Sequence, residues 1–581
     1  MEQPISAFAM YAKRKKTEQL LSKKKKTQKT FDKERKDVKQ ASIKKKMGCK
    51  GVSSKSKLKI MKEKNKKNKK AVKKPNKNVI EITLTKSEKK EKESWKNILN
   101  DINSSHLNTN VNTSINSSYF DTNLHDINHP LWASINDSHR NPVEDCRQLF
   151  EWLMYPMTRD QFFRGGHWQL KVIYIKRDMC NFYKVLLSMS VFEETLRNNN
   201  VLFTKNLDIT SYSHGVKEIH NPPGRAHASI VGDYFRNNCS VRMLNPQIFI
   251  PQIYALNAIL QEVFGCFVGA NIYLTPANSQ GFAPHYDDVE IFILQIEGKK
   301  RWKLYKSLKS SEFFPRYPSR DFDESELGKP ILDKVISPGD LLYVPRGTIH
   351  QAMALDTYSL HITISMYQRN TWGDLLEKLV PQALKQAIKK DMRFREGLPI
   401  DYLSCIGRQC NDEHPRRGWM KYIVRQMVAE LDRYIDIDHA ADLMAKNHIH
   451  DSLPPYIFKS ERRCTILEDG ENLSYNGPKS YGNIKLSTEI RLLRLYCIRL
   501  IKEDNVYKIY YSTENSKEYH EYEPQYLEID KEFVPAIKQI VEAYPDFISV
   551  KDLIIKDTDT KIQIVKDLWE KNIVITKVPL N

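Results

Sequence analysis

Between residues 270 and 367 the sequence is a series of short apolar segments separated by turns that contain glycine or proline. The segments read ANIYLTP, HYDDVEIFILQIEG, KRWKLYK, DLLYVP, IHQAMAL and SLHITISMY, and the turns include EGKK, SPGD and PRG. Many short strands joined by such turns are typical of an antiparallel β-barrel or jelly roll. We therefore expect a barrel of this kind at the centre of the protein.

Helical segments are predicted on the N-terminal side of this β-region. The segment CRQLFEWLMYPMTRDQFFRGG begins as an amphipathic helix with Leu149, Trp152 and Leu153 on one face, and PQIYALNAILQEVFGCFV predicts a second helix. Together with the strands, these helices predict an α+β domain over residues 146–370. A chain of 581 residues is too long for one ordinary core, so further domains are expected.

Two more structural units are predicted after the barrel. Residues 371–450 have a helical pattern, as in WGDLLEKLVPQALKQAIKK and GWMKYIVRQMVAELDRYI. Residues 451–581 contain the hairpin pattern NVYKIYYSTENSKEYHEYEPQYLEI and end in the order helix, turn, helix, strand, which resembles a winged helix. Winged helices often bind DNA, but this region has no basic stripe, so a packing or dimer-supporting role is an equally open interpretation.

The formal net charge of +21 is concentrated at the N-terminus. Residues 1–100 carry 34 lysines and arginines against 10 acidic residues, and the rest of the chain is close to neutral. Like-charge runs such as KKKK and KNKKNKKAVKK predict a disordered tail over 1–100, and the Asn- and Ser-rich residues 101–145 predict a flexible linker. The tail is interpreted as a nuclear or nucleolar address with weak, salt-sensitive nucleic-acid binding, and a merely solubilising role is the alternative.

Cysteine content and hydropathy exclude several other classes of protein. The nine cysteines are odd in number and contain no CxxC pair, which argues against a disulfide framework or a zinc ribbon and favours reduced thiols in an intracellular protein. No apolar run approaches the roughly 18 residues that span a bilayer, and the N-terminus lacks an apolar signal core. We therefore expect a soluble protein that is neither secreted nor bound to a membrane.

The segment GFAPHYDDVE places one histidine and two aspartates behind a proline. Alternate side chains of a strand share a face, so a strand here would put His285 and Asp287 on one face and Asp288 on the other. A histidine nitrogen and a carboxylate oxygen at such positions can bind one metal ion. Because a lone HxD pair occurs often by chance, the prediction of a metal site depends on a third ligand.

The expected third ligand is His350, in the segment SPGDLLYVPRGTIHQ. A turn precedes this histidine at the start of a strand, and a barrel can bring that strand against the HxD segment. Two histidines and one carboxylate form the facial triad of non-haem Fe(II) oxygenases, which leaves three coordination positions open. His361, in SLHITISMY, is the alternative third ligand; otherwise we expect it to be a buried, hydrogen-bonded residue beside the site or in the core.

Lys300 comes after the apolar strand EIFILQIEG and a turn, at the start of the returning segment KRWKLY. A lysine at this point can face the barrel interior, where its charge is costly unless it meets an anion. The distal carboxylate of 2-oxoglutarate is such an anion. It could meet the lysine while the other end of the molecule chelates iron. The alternative is that Lys299, Lys300 and Arg301 are surface charges of the turn.

Three motifs resemble the JmjC-domain ribosomal oxygenases: NSQGFAPHYDDVEIFILQIEGKKRWKLY, GDLLYVPRGTIHQA and SLHITISMYQRNTWGDLLE. The resemblance extends from about residue 146 to the C-terminus, and the motif cores match almost residue for residue. It implies a JmjC, cupin-type double-stranded β-helix over 146–370, a helical dimerisation region over 371–450 and a C-terminal winged helix over 451–581. A homodimer is therefore expected.

The resemblance also implies roles for individual residues. Three positions would hold Fe(II) as the catalytic metal: His285, Asp287 and His350. Lys300 would bind 2-oxoglutarate. Four positions would lie on the substrate side: Arg242, Asn271, Tyr273 and Ser365. For Asn271 and Tyr273 the alternative is an ordinary polar residue of the barrel.

The implied activity is protein oxygenation that consumes 2-oxoglutarate and O2. The expected substrates are a histidine of a large-subunit ribosomal protein and, as a second activity, methylated lysines of histone tails, in the nucleolus and nucleoplasm. Two alternatives from other classes stay open: a cupin metalloenzyme of another reaction type, and a non-enzymatic scaffold in chromatin or ribosome assembly.

Overall fold

The computed structural model describes residues 79–83, 141–213, 215–469, 473–474, 477–478, 483–518 and 523–580. Most of the predicted basic tail and of the Asn- and Ser-rich linker lies outside these residues. Within the tail, Val79–Thr83 form strand β1, which pairs in parallel with β2 (Val172–Lys176). These five residues differ from the prediction of disorder because four of them, in the sequence VIEIT, are β-branched and suit a strand.

Five longer helices lie before and between the barrel strands of the described chain: α1 (Pro142–Met154), α2 (Arg159–Arg164), α3 (Met189–Asn198), α4 (Ala228–Arg236) and α5 (Pro251–Phe264). Helix α1 begins inside the predicted linker because the Asn141 side chain accepts a hydrogen bond from the Val143 amide and Pro142 occupies the first turn. Its apolar face, with Leu149 and Leu153, is fully buried.

The barrel strands after β2 are β3 (Leu207–Ser213), β4 (Val216–Ile219), β5 (Ser240–Leu244), β6 (Val268–Thr275), β7 (Glu290–Glu297), β8 (Lys300–Tyr305), β9 (Leu332–Ile336), β10 (Leu341–Val344), β11 (Ile349–Ala354) and β12 (Ser359–Met366). Among the described residues, one sheet has the order β1-β2-β10-β7-β12-β6-β5-β3-β4 and a second has the order β11-β8-β9. Apart from the β1–β2 pair, the neighbours are antiparallel, as the sequence predicts.

Strand β7 is buried on both faces. Ile291 and Ile293 belong to an apolar cluster with Trp302 of β8, which joins the two sheets. Phe292 and Leu294 belong to the larger cluster that includes the buried faces of helices α1 and α5. A strand covered on both sides has a continuous apolar sequence rather than an alternating one, which accounts for EIFILQIE. Strand β7 is therefore a two-sided core strand that packs against the second sheet on one face and the helices on the other.

The region after the barrel contains helices α6 (Trp372–Lys390), α7 (Pro415–Glu430) and α8 (Ile437–Asp451). Helix α6 buries Leu379, Ala383 and Ala387. It also exposes four apolar side chains spaced four residues apart, which we name the outer stripe: Leu376, Val380, Leu384 and Ile388. In the described part of the chain, no helix combines the length and the apolar composition that crossing a bilayer requires.

The C-terminal region contains β13 (Leu473–Ser474), β14 (Gly477–Pro478), β15 (Glu489–Leu492), β16 (Ile498–Glu503), β17 (Val506–Tyr511), β18 (Gln525–Ile529), α9 (Val534–Ala543), β19 (Ile548–Ser549), α10 (Thr558–Glu570) and β20 (Val574–Thr576). Strands β17 and β18 form the predicted hairpin, and β15 pairs with both β19 and β20. The side chains of α9 and α10 pack into one apolar core that includes Ile537 and Trp569. The order helix, turn, helix, strand is present as predicted.

A buried ion cluster fixes the entry to this C-terminal region. Glu461, on a short helix (Lys459–Arg462), accepts hydrogen bonds from Arg491 at 2.9 Å and from Arg494 at 2.8 Å. The Arg494 side chain is 2% exposed and also donates to the Tyr456 carbonyl. The neighbouring guanidinium groups lower the pKa of Glu461 despite its burial. Both arginines therefore form their ion pairs with the same buried carboxylate.

We expect Glu461→Ala to destabilise the protein, because removal of one partner from a buried pair leaves a buried charge uncompensated, at a cost of about 3–5 kcal/mol. The measurement is the urea midpoint of unfolding, monitored by circular dichroism. Glu468→Ala is the control, since Glu468 pairs with Arg463 at 3.9 Å on the surface. Equal midpoints for the two variants would contradict the importance of the buried cluster.

Candidate metal centre and active site

The segment around His285 lies before β7 rather than forming its first half, which corrects the strand predicted for HYDDVEIF. Strand β7 begins at Glu290, and His285 makes only an isolated antiparallel bridge with His350. The neighbouring backbone is bonded to a loop instead of a strand, because the Ser319 amide donates to the Tyr286 carbonyl at 3.0 Å. Strand alternation is therefore not the reason that His285 and Asp287 lie close together.

The structure nevertheless brings His285, Asp287 and His350 together. In the described residues they are the one group of three or more potential metal-binding side chains whose donor atoms all lie within 4.8 Å of one another. The Nε2 atom of His285 is 4.0 Å from Asp287 Oδ1, and the Nε2 atom of His350 is 3.7 Å from Asp287 Oδ2. Two imidazole nitrogens and one carboxylate oxygen can hold a divalent metal ion from one side.

Backbone carbonyls orient both imidazole rings. The Nδ1 atom of His285 lies 2.7 Å from the Ala283 oxygen, and the Nδ1 atom of His350 lies 3.1 Å from the Thr348 oxygen. A carbonyl oxygen only accepts, so Nδ1 carries a proton in each ring, which leaves Nε2 as the atom that can bind a metal ion beside Asp287. Burial, reinforced by His285, lowers the pKa of His350 to about 4, so this ring is neutral at physiological pH. Neutral imidazole is the form that binds metal ions.

The turn before His350 also holds Asp287. The Gly347 amide donates to the Asp287 carbonyl at 3.0 Å, and Gly347 has a φ of 81°. A Cβ atom on this residue would lie 2.8 Å from the Glu312 carbonyl oxygen, so both the backbone angle and the available space require glycine. Asp288 does not belong to the metal-binding group; its carboxylate lies 3.8 Å from the Arg369 guanidinium, and burial raises its pKa.

Lys300 begins β8, and its side chain is only 5% exposed. The ammonium group donates to Thr275 Oγ1 at 2.9 Å and lies 5.9 Å from the Trp302 ring centroid. Among the described residues no carboxylate comes within ion-pair distance of it. Burial lowers the pKa of Lys300 to about 7. A buried ammonium without a negative partner fits a site for an anionic ligand.

His361 lies apart from the metal-binding group. It is directly opposite Tyr273 in the β12–β6 pair, and the two rings stack with centroids 4.9 Å apart. The Trp302 ring packs edge-on against it at 5.6 Å. Burial holds the pKa of His361 well below its usual value, and its Nδ1 atom has no hydrogen-bond partner. The structure thus places His350, rather than His361, beside His285 and Asp287. His361 is buried as predicted, but the buried Nδ1 atom lacks the hydrogen bond that was expected of this residue.

Arg242 and Tyr273 lie directly opposite each other in the β5–β6 pair. Burial raises the pKa of Tyr273, the neighbouring Arg242 opposes that shift, and the charge of Asp287 adds to it. Tyr273 is thus the member of this pair whose electrostatic environment includes the metal-binding group. Asn271 is two residues from Tyr273 on the same face of β6, and Ser365 lies on the face of β12 that carries His361. All four predicted substrate-side residues therefore lie on one wall of the barrel.

Thr275 and Trp302 are site residues that the sequence patterns did not indicate. Thr275 accepts the hydrogen bond of Lys300, and Trp302 contacts both Lys300 and His361. Thr275 could have been found from strand alternation, because it continues the face of Asn271 and Tyr273. Trp302 is two residues from Lys300 in β8, so the two side chains share a face. The sequence did not identify Trp302 as a site residue, because a tryptophan in a strand is more often part of an apolar core.

The donor set and the isolated lysine fit one combination of ligands. Two imidazoles and one carboxylate suit Fe(II) and leave coordination positions free. Lys300 and Thr275 offer a cation and a hydroxyl to a carboxylate at a separate position of the same barrel. A dicarboxylate that binds the metal at one end and Lys300 at the other would use both features, as 2-oxoglutarate does.

Comparisons with known protein families identify two parts of the chain. Residues 242–375 match the model of the JmjC domain, and residues 453–580 match the model of the ribosomal oxygenase 1 C-terminal winged helix domain. The first match contains the metal-binding group, Lys300 and the four substrate-side residues. The second contains the buried Glu461 cluster and helices α9 and α10.

Curated relatives cover most of the chain. Ribosomal oxygenase 1 of Gallus gallus is 43% identical over 449 residues, which is 77% of this chain and 74% of the relative. The bifunctional lysine-specific demethylase and histidyl-hydroxylase NO66 of Culex quinquefasciatus is 43% identical over 75% of this chain and 67% of its own. Ribosomal oxygenase 1 of Homo sapiens is 40% identical over 78% of this chain and 71% of its own. The protein belongs to the family of JmjC-domain ribosomal oxygenases.

Proposed function

We propose that this protein is an Fe(II)- and 2-oxoglutarate-dependent oxygenase that hydroxylates a histidine of a large-subunit ribosomal protein. Demethylation of methylated histone lysines is the second activity proposed for the same site. The observation that carries the proposal is the metal-binding group His285, Asp287 and His350 in one barrel with the buried, carboxylate-free Lys300. The names of the relatives, which include both histidyl-hydroxylase and lysine-specific demethylase, support these two substrate classes.

His285, Asp287 and His350 would hold the iron, and Lys300 with Thr275 would hold the distal carboxylate of 2-oxoglutarate. When bound, the iron supplies the redox chemistry by which O2 oxidises 2-oxoglutarate to succinate and CO2 and inserts one oxygen atom into a substrate C–H bond. Tyr273 lies beside Arg242, and the charge of Asp287 contributes to the raised pKa of Tyr273. The barrel wall that carries Tyr273 can therefore position the substrate. The protein thus contributes orientation more than chemistry.

The two substrate classes give different products from the same hydroxylation step. Hydroxylation of a histidine side-chain carbon leaves a stable alcohol. Hydroxylation of a lysine N-methyl group leaves a hemiaminal, which releases formaldehyde and thereby removes the methyl group. One site can therefore support both outcomes, and the peptide that it positions decides between them.

Two other functions make different predictions. A cupin metalloenzyme of another reaction type would not need a buried lysine without a carboxylate partner, which Lys300 is. A non-enzymatic scaffold for chromatin or ribosome assembly would not need two histidine rings that backbone carbonyls orient beside Asp287. Both features therefore favour the oxygenase.

A homodimer formed through residues 371–450 is part of the proposal. The outer stripe of α6 is 41–48% exposed along four turns, and α7 exposes Trp419, Val424 and Val428 in the same region. A row of exposed apolar side chains along a helix is typical of a protein interface, and a two-fold dimer uses the same patch on both subunits. A second copy of this chain is the partner that we propose.

Location in the nucleus, with nucleolus and nucleoplasm as the expected compartments, is proposed from the basic tail and the ribosomal relatives. The lysine runs of residues 1–100 would contact nucleic acid weakly and with strong dependence on salt. The substrates proposed above occur in the same compartments.

Mass spectrometry tests the activity. Large-subunit ribosomal proteins and methylated histone peptides are incubated with the full chain, Fe(II), 2-oxoglutarate and air, and succinate is measured in parallel. We expect one added oxygen on a histidine, or loss of a lysine methyl group, together with succinate. Asp287→Ala should abolish all of these products, because it removes a metal ligand, whereas Asp288→Asn should retain most of them. Succinate formation that is independent of Fe(II), or full activity of Asp287→Ala, would refute the oxygenase.

Binding of 2-oxoglutarate should take up a proton above neutral pH. The pKa of Lys300 is about 7 in the free protein, and a bound carboxylate would raise it, so at pH 8 the mostly neutral amine would gain nearly one proton. Below about pH 6 the lysine is already protonated, and the uptake should disappear. Calorimetry with Mn(II) in place of iron, in buffers of different ionisation enthalpy, measures this uptake.

Lys300→Met is the control for that titration, because it removes the titrating amine and keeps a similar side-chain length. This variant should bind 2-oxoglutarate weakly and without proton uptake. A binding enthalpy of the unmodified chain that does not depend on the buffer at pH 8 would show that Lys300 is not the group that meets the ligand.

Light scattering tests the dimer. We expect the full chain to have the mass of two copies and Val380→Asp/Leu384→Asp to have the mass of one, with an unchanged circular dichroism spectrum, because both side chains are exposed in the single chain. Ile554→Asp, at an exposed apolar position of the C-terminal region, should leave the mass unchanged. A monomeric unmodified chain would exclude this dimer.

A further inference from the structure

Arg242, on the substrate-side wall, is held from two directions by side chains that have no role in the site so far. Asp208 lies directly opposite it in the β3–β5 pair, and its Oδ2 atom accepts a hydrogen bond from Arg242 Nη2. The Phe282 ring lies below the guanidinium group, with its centroid 5.3 Å from Cζ. An ion pair on one edge and an aromatic face together leave the planar group little freedom to rotate.

Asp208 is itself fixed before any ligand arrives. Its Oδ1 atom accepts a hydrogen bond from Asn221 Nδ2 at 2.8 Å. Asn221 is anchored in turn, because its Oδ1 atom accepts the Ile209 amide at 2.7 Å and its Nδ2 atom also donates to Thr204. The Asp208 carboxylate is therefore held in one position, and its hydrogen bond orients Arg242.

Phe282 is fixed by the segment that carries the metal ligands. It lies three residues before His285, and the Gln280 amide group donates to its carbonyl at 2.7 Å. Gly281 permits the close approach to β5, since a Cβ atom there would lie 2.5 Å from Ser240 Cβ. The Phe282 ring packs edge-on against Tyr273 at 5.7 Å and lies 6.3 Å from the His285 ring. One aromatic ring thus contacts the substrate wall next to the metal-binding group.

The free donors of Arg242 indicate what the clamped group can bind. Its Nε atom is buried and has no hydrogen-bond partner, while Asp208 already balances its charge. The Arg242 side chain is nevertheless 30% exposed, so an entering molecule can reach the rest of the guanidinium group. An arginine whose charge is already balanced by a carboxylate suits a neutral hydrogen-bond acceptor. The backbone carbonyl of a peptide that enters the site is such an acceptor.

We propose that Asp208 and Phe282 are positioning residues that hold Arg242 so that it donates to a backbone carbonyl of the substrate peptide. The inference rests on the proposed function, in which Arg242 lies on the substrate side. Asp208 sets the edge of the guanidinium group and Phe282 sets its plane. Because the Phe282 ring also lies 6.3 Å from the His285 ring, the experiment must separate an effect on peptide binding from an effect on the metal-binding group.

The test compares Phe282→Leu, which keeps the apolar volume but removes the aromatic face, with Phe282→Tyr, which keeps that face. Asp208→Asn keeps the shape of the side chain and removes its charge. The substrate is a synthetic peptide around the histidine that gains oxygen in the mass-spectrometric assay. Asp233→Asn is the matched control, because Asp233 forms an exposed ion pair with Arg236 on α4.

We expect Phe282→Leu and Asp208→Asn each to raise the KM for the peptide about tenfold, as loss of a charge-assisted contact does. The kcat should stay within about twofold. Phe282→Tyr and Asp233→Asn should behave as the unmodified chain does. The Kd of the same peptide, measured by fluorescence polarisation with Mn(II) and the unreactive analogue N-oxalylglycine, should rise in parallel with KM, while the Kd for 2-oxoglutarate stays constant.

Unchanged peptide KM and Kd in both Phe282→Leu and Asp208→Asn would overturn the inference and leave the oxygenase activity standing. A rise in KM that Phe282→Tyr fails to rescue would overturn the part assigned to the aromatic face. If Phe282→Leu loses 2-oxoglutarate binding as well, the role is structural and the inference for Phe282 is wrong. An unmodified chain that oxidises no peptide would overturn the proposed function and this inference with it.

Discussion

The backbone contact between His285 and His350 is the constraint on which the metal-binding group depends. The His350 amide donates to the His285 carbonyl at 2.8 Å, and the His285 amide donates back at 3.2 Å. The Gly347 amide adds a third bond, to the Asp287 carbonyl. Hydrogen bonds between main-chain groups thus join two segments that are far apart in sequence. The side chains need only ordinary orientations to converge, because the backbone has already brought them together.

Lys300 shows a second constraint, which acts through charge. A folded protein rarely buries an ammonium group with only a hydroxyl as its partner, because desolvation then favours the neutral amine. The apolar cluster of Ile291, Ile293 and Trp302 lies in the same barrel and excludes water from its interior. The same core that stabilises the two sheets therefore makes Lys300 ready to accept an anion. Stability and ligand binding are linked through one desolvated lysine.

The sequence patterns predicted most central strands of the barrel, but they missed strands at the edges of its sheets. The segments that became β6, β8, β11 and β12 were recognisable because each carries its own alternation or turn signals. Strand β9 was missed because LDKVI is half-exposed and weakly patterned, and β1 was missed because it lies inside a lysine-rich tail. The strand predicted through His285 was wrong because its backbone partners, such as Ser319, lie in a loop that no local pattern reveals.

Cross-strand register explains why the site was only partly predictable. Asp208, Arg242, Tyr273 and His361 stand opposite one another on four neighbouring strands, β3, β5, β6 and β12. Each of these strands also carries other polar residues, so the sequence of one strand does not indicate which of them face the site. Their alignment depends on the register between strands that are distant in sequence. In the folded chain these four residues form one row across the sheet, which begins at Asp208 and ends at His361. The opposite faces of β5, β6 and β12 carry Val241, Ile272 and Ile362, which belong to the main apolar core. The row is therefore one side of a wall whose other side is close-packed.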